Sequence, residues 1–171
     1  MASPDEFTGP TTELLQALIR NACVNDGTPD SGNETRNSDL LVTYLEGAGL
    51  EVERFTPREG RDSMVARIEG SDPDAPSLCL MAHTDVVPVN PDGWSEDPFG
   101  GEVIDGEVWG RGAIDMLNLT SSMAVAFRRL ATEGFRPKGD LIYFGVGDEE
   151  AGGVWGAEWM VEHHWDAIAA D

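Results

Sequence analysis

The apolar positions along this chain fall into two periods. Leu14, Leu15, Leu18, Ile19 and Ala22 recur at the spacing of one helical face, behind Thr11 or Thr12 as a cap. Leu40, Leu41, Tyr44, Leu45 and Ala48 predict a second helix, which Gly47 and Gly49 help to end. Residues 25–33 between them are rich in Asn, Asp, Gly, Pro and Ser and read as a loop. The period then shortens to two. Residues 50–55 and 63–68 alternate, as half-buried strands do. Residues 77–82 form a near-continuous apolar run, which predicts a central strand buried on both faces. Residues 88–111 are broken by Gly, Pro, Asp and Trp, with a short hairpin predicted at Asp105-Gly106. A third helix is predicted from about residue 118 to 133, with Leu119, Met123, Ala126, Phe127 and Leu130 inward. Residues 140–146 read as another apolar strand, and Gly152-Gly153 open a last helix carrying Trp155, Trp159 and Met160. Residues 1–10 read as a loose leader. Helices first, then strands separated by a long helix, predict an α/β fold with a mixed β-sheet flanked by helices.

Composition narrows the class. Hydrophobic residues make up 40% of the 171, enough for the core of one ordinary domain. Lys plus Arg is 11 and Asp plus Glu is 32, so the net charge is −21. That balance excludes a phosphate-reading surface and disfavours anionic membranes, so neither nucleic acid nor membrane is an expected partner. No apolar run spans a bilayer, and the first ten residues lack a basic segment followed by an apolar one. Cys23 and Cys79 do not make a disulfide framework; reduced thiols in a cytoplasmic protein are expected.

Three polar clusters interrupt this pattern. His83 and Asp85 end the 77–82 run, two apart, a spacing that points both side chains one way in extended chain. A histidine that binds a metal through one ring nitrogen usually donates from the other to a carboxylate or carbonyl, and Asp85 offers a carboxylate. Alone, the pair fits a capped strand end equally well. Asp115 stands at the entrance to the third helix, where an acid is favoured with or without a ligand. Asp148, Glu149 and Glu150 follow an apolar strand and precede two glycines; such clustering is costly near buried structure unless a cation offsets it, although it also fits a solvated acidic turn. Together, His and carboxylates without Cys suit zinc, cobalt or manganese, and a bridging carboxylate suits two metals roughly 3.5–4 Å apart.

These segments resemble the metallopeptidase family M20, the group of aminoacylase, carboxypeptidase G2, acetylornithine deacetylase and succinyl-diaminopimelate desuccinylase. The resemblance runs through MAHTDVVPVNPDGWSEDPFGGEV, DGEVWGRGAIDM and GDEEAGG, in that order. It implies a zinc-peptidase-like (phosphorylase/hydrolase-like) catalytic domain over residues 11–171. It also implies that His83 binds one metal, Asp85 orients His83, Asp115 bridges two metals and precedes a cis peptide, Glu149 is the general base and Glu150 binds the second metal. The implied reaction is hydrolysis of an amide bond in a small peptide or N-acyl amino acid, with zinc activating water. Many relatives carry Lys-Gly after the bridging Asp-Met where this chain has Leu117-Asn118, which puts subfamily and substrate in question.

Relatives in this family are longer, with two further ligands, an acid and a distant His, and a lid domain through which they form homodimers. The chain is therefore expected to be a fragment: the N-terminal part of an incomplete catalytic domain, inactive alone, with an uncovered sheet edge. His163 and His164 read as exposed helix-end residues rather than the missing ligand. The alternative expectation is a non-catalytic remnant that binds metal weakly.

Overall fold

The computed structural model describes residues 5–171, so the first four residues of the expected leader lie outside the described residues. Helix α1 spans Asp5–Arg20 and so takes in the rest of that leader, Pro10 included. Phe7 explains the earlier start. It lies on the same stripe as Leu14 and Leu18 and packs against the core, with the Arg129 guanidinium 5.9 Å from its ring centroid. Ala22 lies past the helix end, at φ +47°.

Helix α2, Thr35–Glu46, buries Leu41 and Leu45 as its periodicity predicts. The strands are β1 (Val52–Arg58), β2 (Arg61–Ile68), β3 (Leu78–His83), β4 (Val103–Ile104), β5 (Glu107–Val108) and β6 (Leu141–Val146). Four of them form a mixed sheet in the order β1-β2-β6-β3; only β3 and β6 run parallel. Helix α3, Leu117–Thr132, makes the crossover between those two. The small hairpin β4-β5 turns at Asp105 and Gly106, both at positive φ (+52° and +87°), the backbone that a two-residue hairpin turn requires.

Every residue of β6 is buried, and its alternation feeds two cores. Leu141 and Tyr143 face α1, α2 and α3 together with Met64 and Ala66 of β2. Ile142, Phe144 and Val146 face the other way, towards Met160 of α4 (Ala157–His163) and Ile168 of α5 (Trp165–Ile168). The sheet is thus covered by helices on both faces.

Three expectations fail here. The apolar run at 77–82 is not central: β3 pairs only with β6 and stands at the sheet edge among the described residues, with Leu78 and Met81 more than half exposed. The inward face of α3 is also rotated. Leu117, Thr120, Ser121, Ala124, Val125 and Phe127 are buried, whereas Leu119 is 48% exposed. Small hydroxyl residues fill the tight seam against the sheet, and a hydrophobic pattern does not register them. Trp155 precedes the last helix rather than joining it.

Candidate metal centre

The C-terminal ends of β3 and β6, neighbours in the sheet, carry the polar clusters. Open α/β sheets bind ligands at such ends. His83 is the last residue of β3 and is buried. Its Nδ1 lies 3.0 Å from the backbone oxygen of Asp85, a bond in which Nδ1–H donates and Nε2 is left as a lone-pair donor. Nε2 faces acids: Asp115 Oδ1 at 3.2 Å and Glu149 Oε2 at 3.7 Å.

Asp115 sits in the turn ahead of α3, exposed, and the Asp115–Met116 peptide is cis, as the sequence resemblance implied. Glu149 and Glu150 begin a single 3-10 turn, Glu149–Ala151, directly after β6. One ligand atom each from His83, Asp115 and Glu150 lie within 4.8 Å of one another. Burial, followed by the neighbouring carboxylates of Asp115, Asp85 and Glu149, raises the Glu150 carboxyl above its ordinary range, against the opposing pull of His83. A divalent cation relieves that crowding, and one imidazole nitrogen with two carboxylate oxygens is a donor set that zinc, cobalt or manganese accepts.

Asp85 meets His83 through its backbone rather than its side chain. Its carboxylate is 3.6 Å from His83 Nδ1, too far for a hydrogen bond, and its backbone carbonyl takes the imidazole proton instead. Strand β3 ends at His83, so Asp85 lies outside the stretch to which the same-side rule for alternate residues applies. The carboxylate is fully buried and accepts from three donors: the amides of Glu149 at 3.2 Å and Glu150 at 3.0 Å, and Asn25 Nδ2 at 2.9 Å. Asp85 therefore holds the acidic turn as well as the imidazole, through different atoms.

Three residues that the sequence did not single out, Asn25, Glu34 and Arg61, stand behind this turn and meet Asp148, the first acid of its cluster. Asn25 Nδ2 also donates to Asp148 Oδ1, at 3.1 Å. Asp148 is left-handed (φ +62°) and accepts from the Trp155 amide at 2.9 Å. Arg61 Nη1 lies 3.5 Å from Asp148 and 2.7 Å from Glu34, and all three side chains are buried. No local spacing announces these partners, which come from distant loops and strands. Beside it, Gly147 and Gly156 approach closely: a Cβ on Gly156 would sit 1.8 Å from the Gly147 oxygen.

His163 and His164 stay apart from this centre. His163 is exposed and stacks on Trp159; His164 is half-buried between Phe55 and Trp159.

The sequence profile of Peptidase family M20/M25/M40 matches residues 79–171, more than half of the chain. The chain belongs to this family. The M20 chain is 38% identical over 149 residues to a succinyl-diaminopimelate desuccinylase of Rhodopseudomonas palustris (strain TIE-1), a match covering 84% of this chain and 36% of that one. Its fold is similar to that of an M20 family metallo-carboxypeptidase from Sulfolobus solfataricus, with TM-score 0.75, 20% identity, and coverage of 99% of this chain and 36% of the other. It is also similar to a dinuclear metal-binding M20 peptidase from Bacillus subtilis, with TM-score 0.60, 17% identity and coverage of 98% and 42%. The M20 chain thus spans little more than a third of the length of the curated relative. Among the described residues, no helix is long and apolar enough to cross a membrane.

Proposed function

We propose that this M20 chain carries part of a two-metal centre that hydrolyses an amide bond in a small peptide or N-acyl amino acid. The observation that carries the reading is the convergence of His83 Nε2, Asp115 and Glu150 within 4.8 Å, beside the exposed carboxylate of Glu149. In this reading His83 and Glu150 each hold one ion and Asp115 is shared between the two. Zinc fits the donors, as do cobalt and manganese. When bound, the metal supplies the positive charge that activates water and polarises the scissile carbonyl.

Glu149 is the general base. Its side chain is about half exposed, with Oε2 3.7 Å from His83 Nε2, while its backbone amide is held by Asp85. It takes a proton from the attacking water at a carboxylate oxygen and returns it to the leaving amine. Nδ1–H of His83 stays on the Asp85 carbonyl throughout, so the ring keeps Nε2 aimed at the acids. The remaining ligands of a two-metal site belong, in this proposal, to the part of the parent that this chain does not cover, and the 171 residues alone are inactive.

Metal titration tests the reading. Without the remaining ligands, His83, Asp115 and Glu150 should share a single zinc ion, so His83→Ala, Asp115→Ala and Glu150→Ala should each weaken binding by roughly tenfold or more, whereas Glu149→Gln should retain it. Unchanged affinity in all three alanine variants would overturn it. In a parent that carries the remaining ligands, Glu149→Gln should abolish hydrolysis of N-succinyl and dipeptide substrates while keeping its metal; retained turnover would remove Glu149 as the base.

A further inference from the structure

We infer that Asn25 is a positioning residue for the metal centre, acting through Asp85 and Asp148 on the turn that carries Glu149 and Glu150. The inference rests on the metal-centre reading above. Its basis is one nitrogen atom. Asn25 is 2% exposed, and its Nδ2 spans two carboxylates, Asp85 Oδ2 at 2.9 Å and Asp148 Oδ1 at 3.1 Å. One of those acids holds the start of the turn and the other spans it. Asp85 takes the amides of Glu149 and Glu150; Asp148 is the residue before the turn and takes the Trp155 amide after it. The asparagine amide is the link that fixes one grip relative to the other.

The loop that delivers Asn25 is itself fastened to the site. The Asn25 amide donates to the Val86 carbonyl at 2.8 Å, the Val86 amide donates to the Cys23 carbonyl at 3.0 Å, and Val24 and Val86 form a parallel bridge. The side-chain oxygen is satisfied locally, by the Gly27 amide at 3.1 Å. Asn25 is therefore oriented: its oxygen faces its own loop and its nitrogen faces the acids. An isosteric Asp keeps the oxygen and loses the donor. Two buried carboxylates then face a third acceptor, and an acceptor left without its donor costs more than the bond itself was worth.

The test uses the 171-residue chain, Asn25→Asp, Asn25→Ser, and Asn90→Asp as a control. The Asn90 side chain is exposed and accepts only from the Asp92 amide of its own loop, a bond that Asp retains. Amide exchange is read without metal, and zinc affinity and the visible spectrum of the cobalt-loaded chain are read with it. In Asn25→Asp the Glu149 and Glu150 amides should exchange about tenfold faster than the loss of global stability explains, with β6 following the global loss. Zinc should bind roughly tenfold or more weakly, and the cobalt bands should shift. Asn25→Ser keeps one hydroxyl donor and should fall between. Effects no larger than those of Asn90→Asp, normalised to stability, overturn the inference.

Failure of the metal reading looks different: the wild-type chain then takes no zinc, while exchange at Glu149 and Glu150 still reports whether Asn25 holds the turn. If neither Asn25 variant folds, exchange of the Asn25 side-chain NH2 in the wild-type chain decides. Slow exchange matching the Glu149 and Glu150 amides supports the inference; fast exchange overturns it.

Discussion

The hydroxyl of Thr120 donates to the backbone oxygen of His83, 2.7 Å away, and so ties the first turn of α3 to the end of β3. His83 is the last residue of its strand and Asp115 stands two residues ahead of that helix, so this bond sets the separation of two proposed ligands. Behind it, the buried Tyr143 hydroxyl donates to the Thr120 carbonyl at 3.0 Å. Thr120→Val keeps the shape and removes the donor. It should cost about 1–2 kcal/mol in urea unfolding of the metal-free chain. It should also weaken zinc binding, and affinity equal to wild type would show that the spacing is set elsewhere.

Metal should stabilise the fold by mass action. At about 100-fold excess over Kd, a ligand that binds only the native state contributes about 2.7 kcal/mol. Zinc should therefore raise the melting temperature, and a chelator should reverse the shift. His83→Ala and Glu150→Ala should abolish it and Glu149→Gln should not. Differential scanning calorimetry reads all four; a zinc response surviving in Glu150→Ala would contradict the ligand set.

Glu34 makes stability depend on pH. Burial pushes its carboxyl from 4.5 up to about 7, although the Arg61 guanidinium lies 2.7 Å away. Its second oxygen, Oε2, is buried without a hydrogen-bond partner. A carboxyl raised in the folded state favours folding when protonated. Its contribution is complete below about 4.5 and is lost as pH rises through about 7. Glu34→Gln should flatten this part of the profile, a difference on the order of 2–3 kcal/mol at most between about pH 5 and about pH 8. Parallel profiles for the two chains in chemical denaturation would rule Glu34 out as the source.

Gly156→Ala should damage the site from behind. The added Cβ would meet the Gly147 oxygen at 1.8 Å, where β6 ends and the acidic turn begins. Neither side of that contact is a flexible side chain, so the backbone must shift, at about 1–3 kcal/mol. Zinc affinity should fall together with stability. A variant as stable as wild type, measured by thermal unfolding, would show that the two segments separate freely.

Much of the site was legible because each cluster is continuous in sequence with the strand end or helix start that presents it. His83, Asp115 and Glu150 needed no long-range information to be singled out. What they are held by was not legible. Asn25 finds its partners 60 and 123 residues away, and neither end carries a pattern that names the other. Asp85 was read as a carboxylate beside an imidazole because alternate residues share a side in a strand; the strand stops at His83, and the carbonyl took that place. The helices and β6 followed from periodicity. The position of β3 did not, since an apolar run records that a strand meets apolar surface and not where in the sheet it lies. Phe7 lay on the helical stripe but within residues 1–10, which read as a loose leader ahead of a cap at Thr11 or Thr12.

The parallel pairing of β3 with β6 has a consequence for synthesis. His83 and Glu150 meet only after the whole crossover through α3 has closed, and parallel pairings of this kind are slow to form. While a ribosome is still adding residues beyond Asp115, the imidazole has no second acid across the sheet and the emerging chain offers zinc nothing better than isolated groups. With the proposed ligands, loading would therefore be a late event in the life of the nascent chain. Metal uptake during translation would time the closure of this crossover.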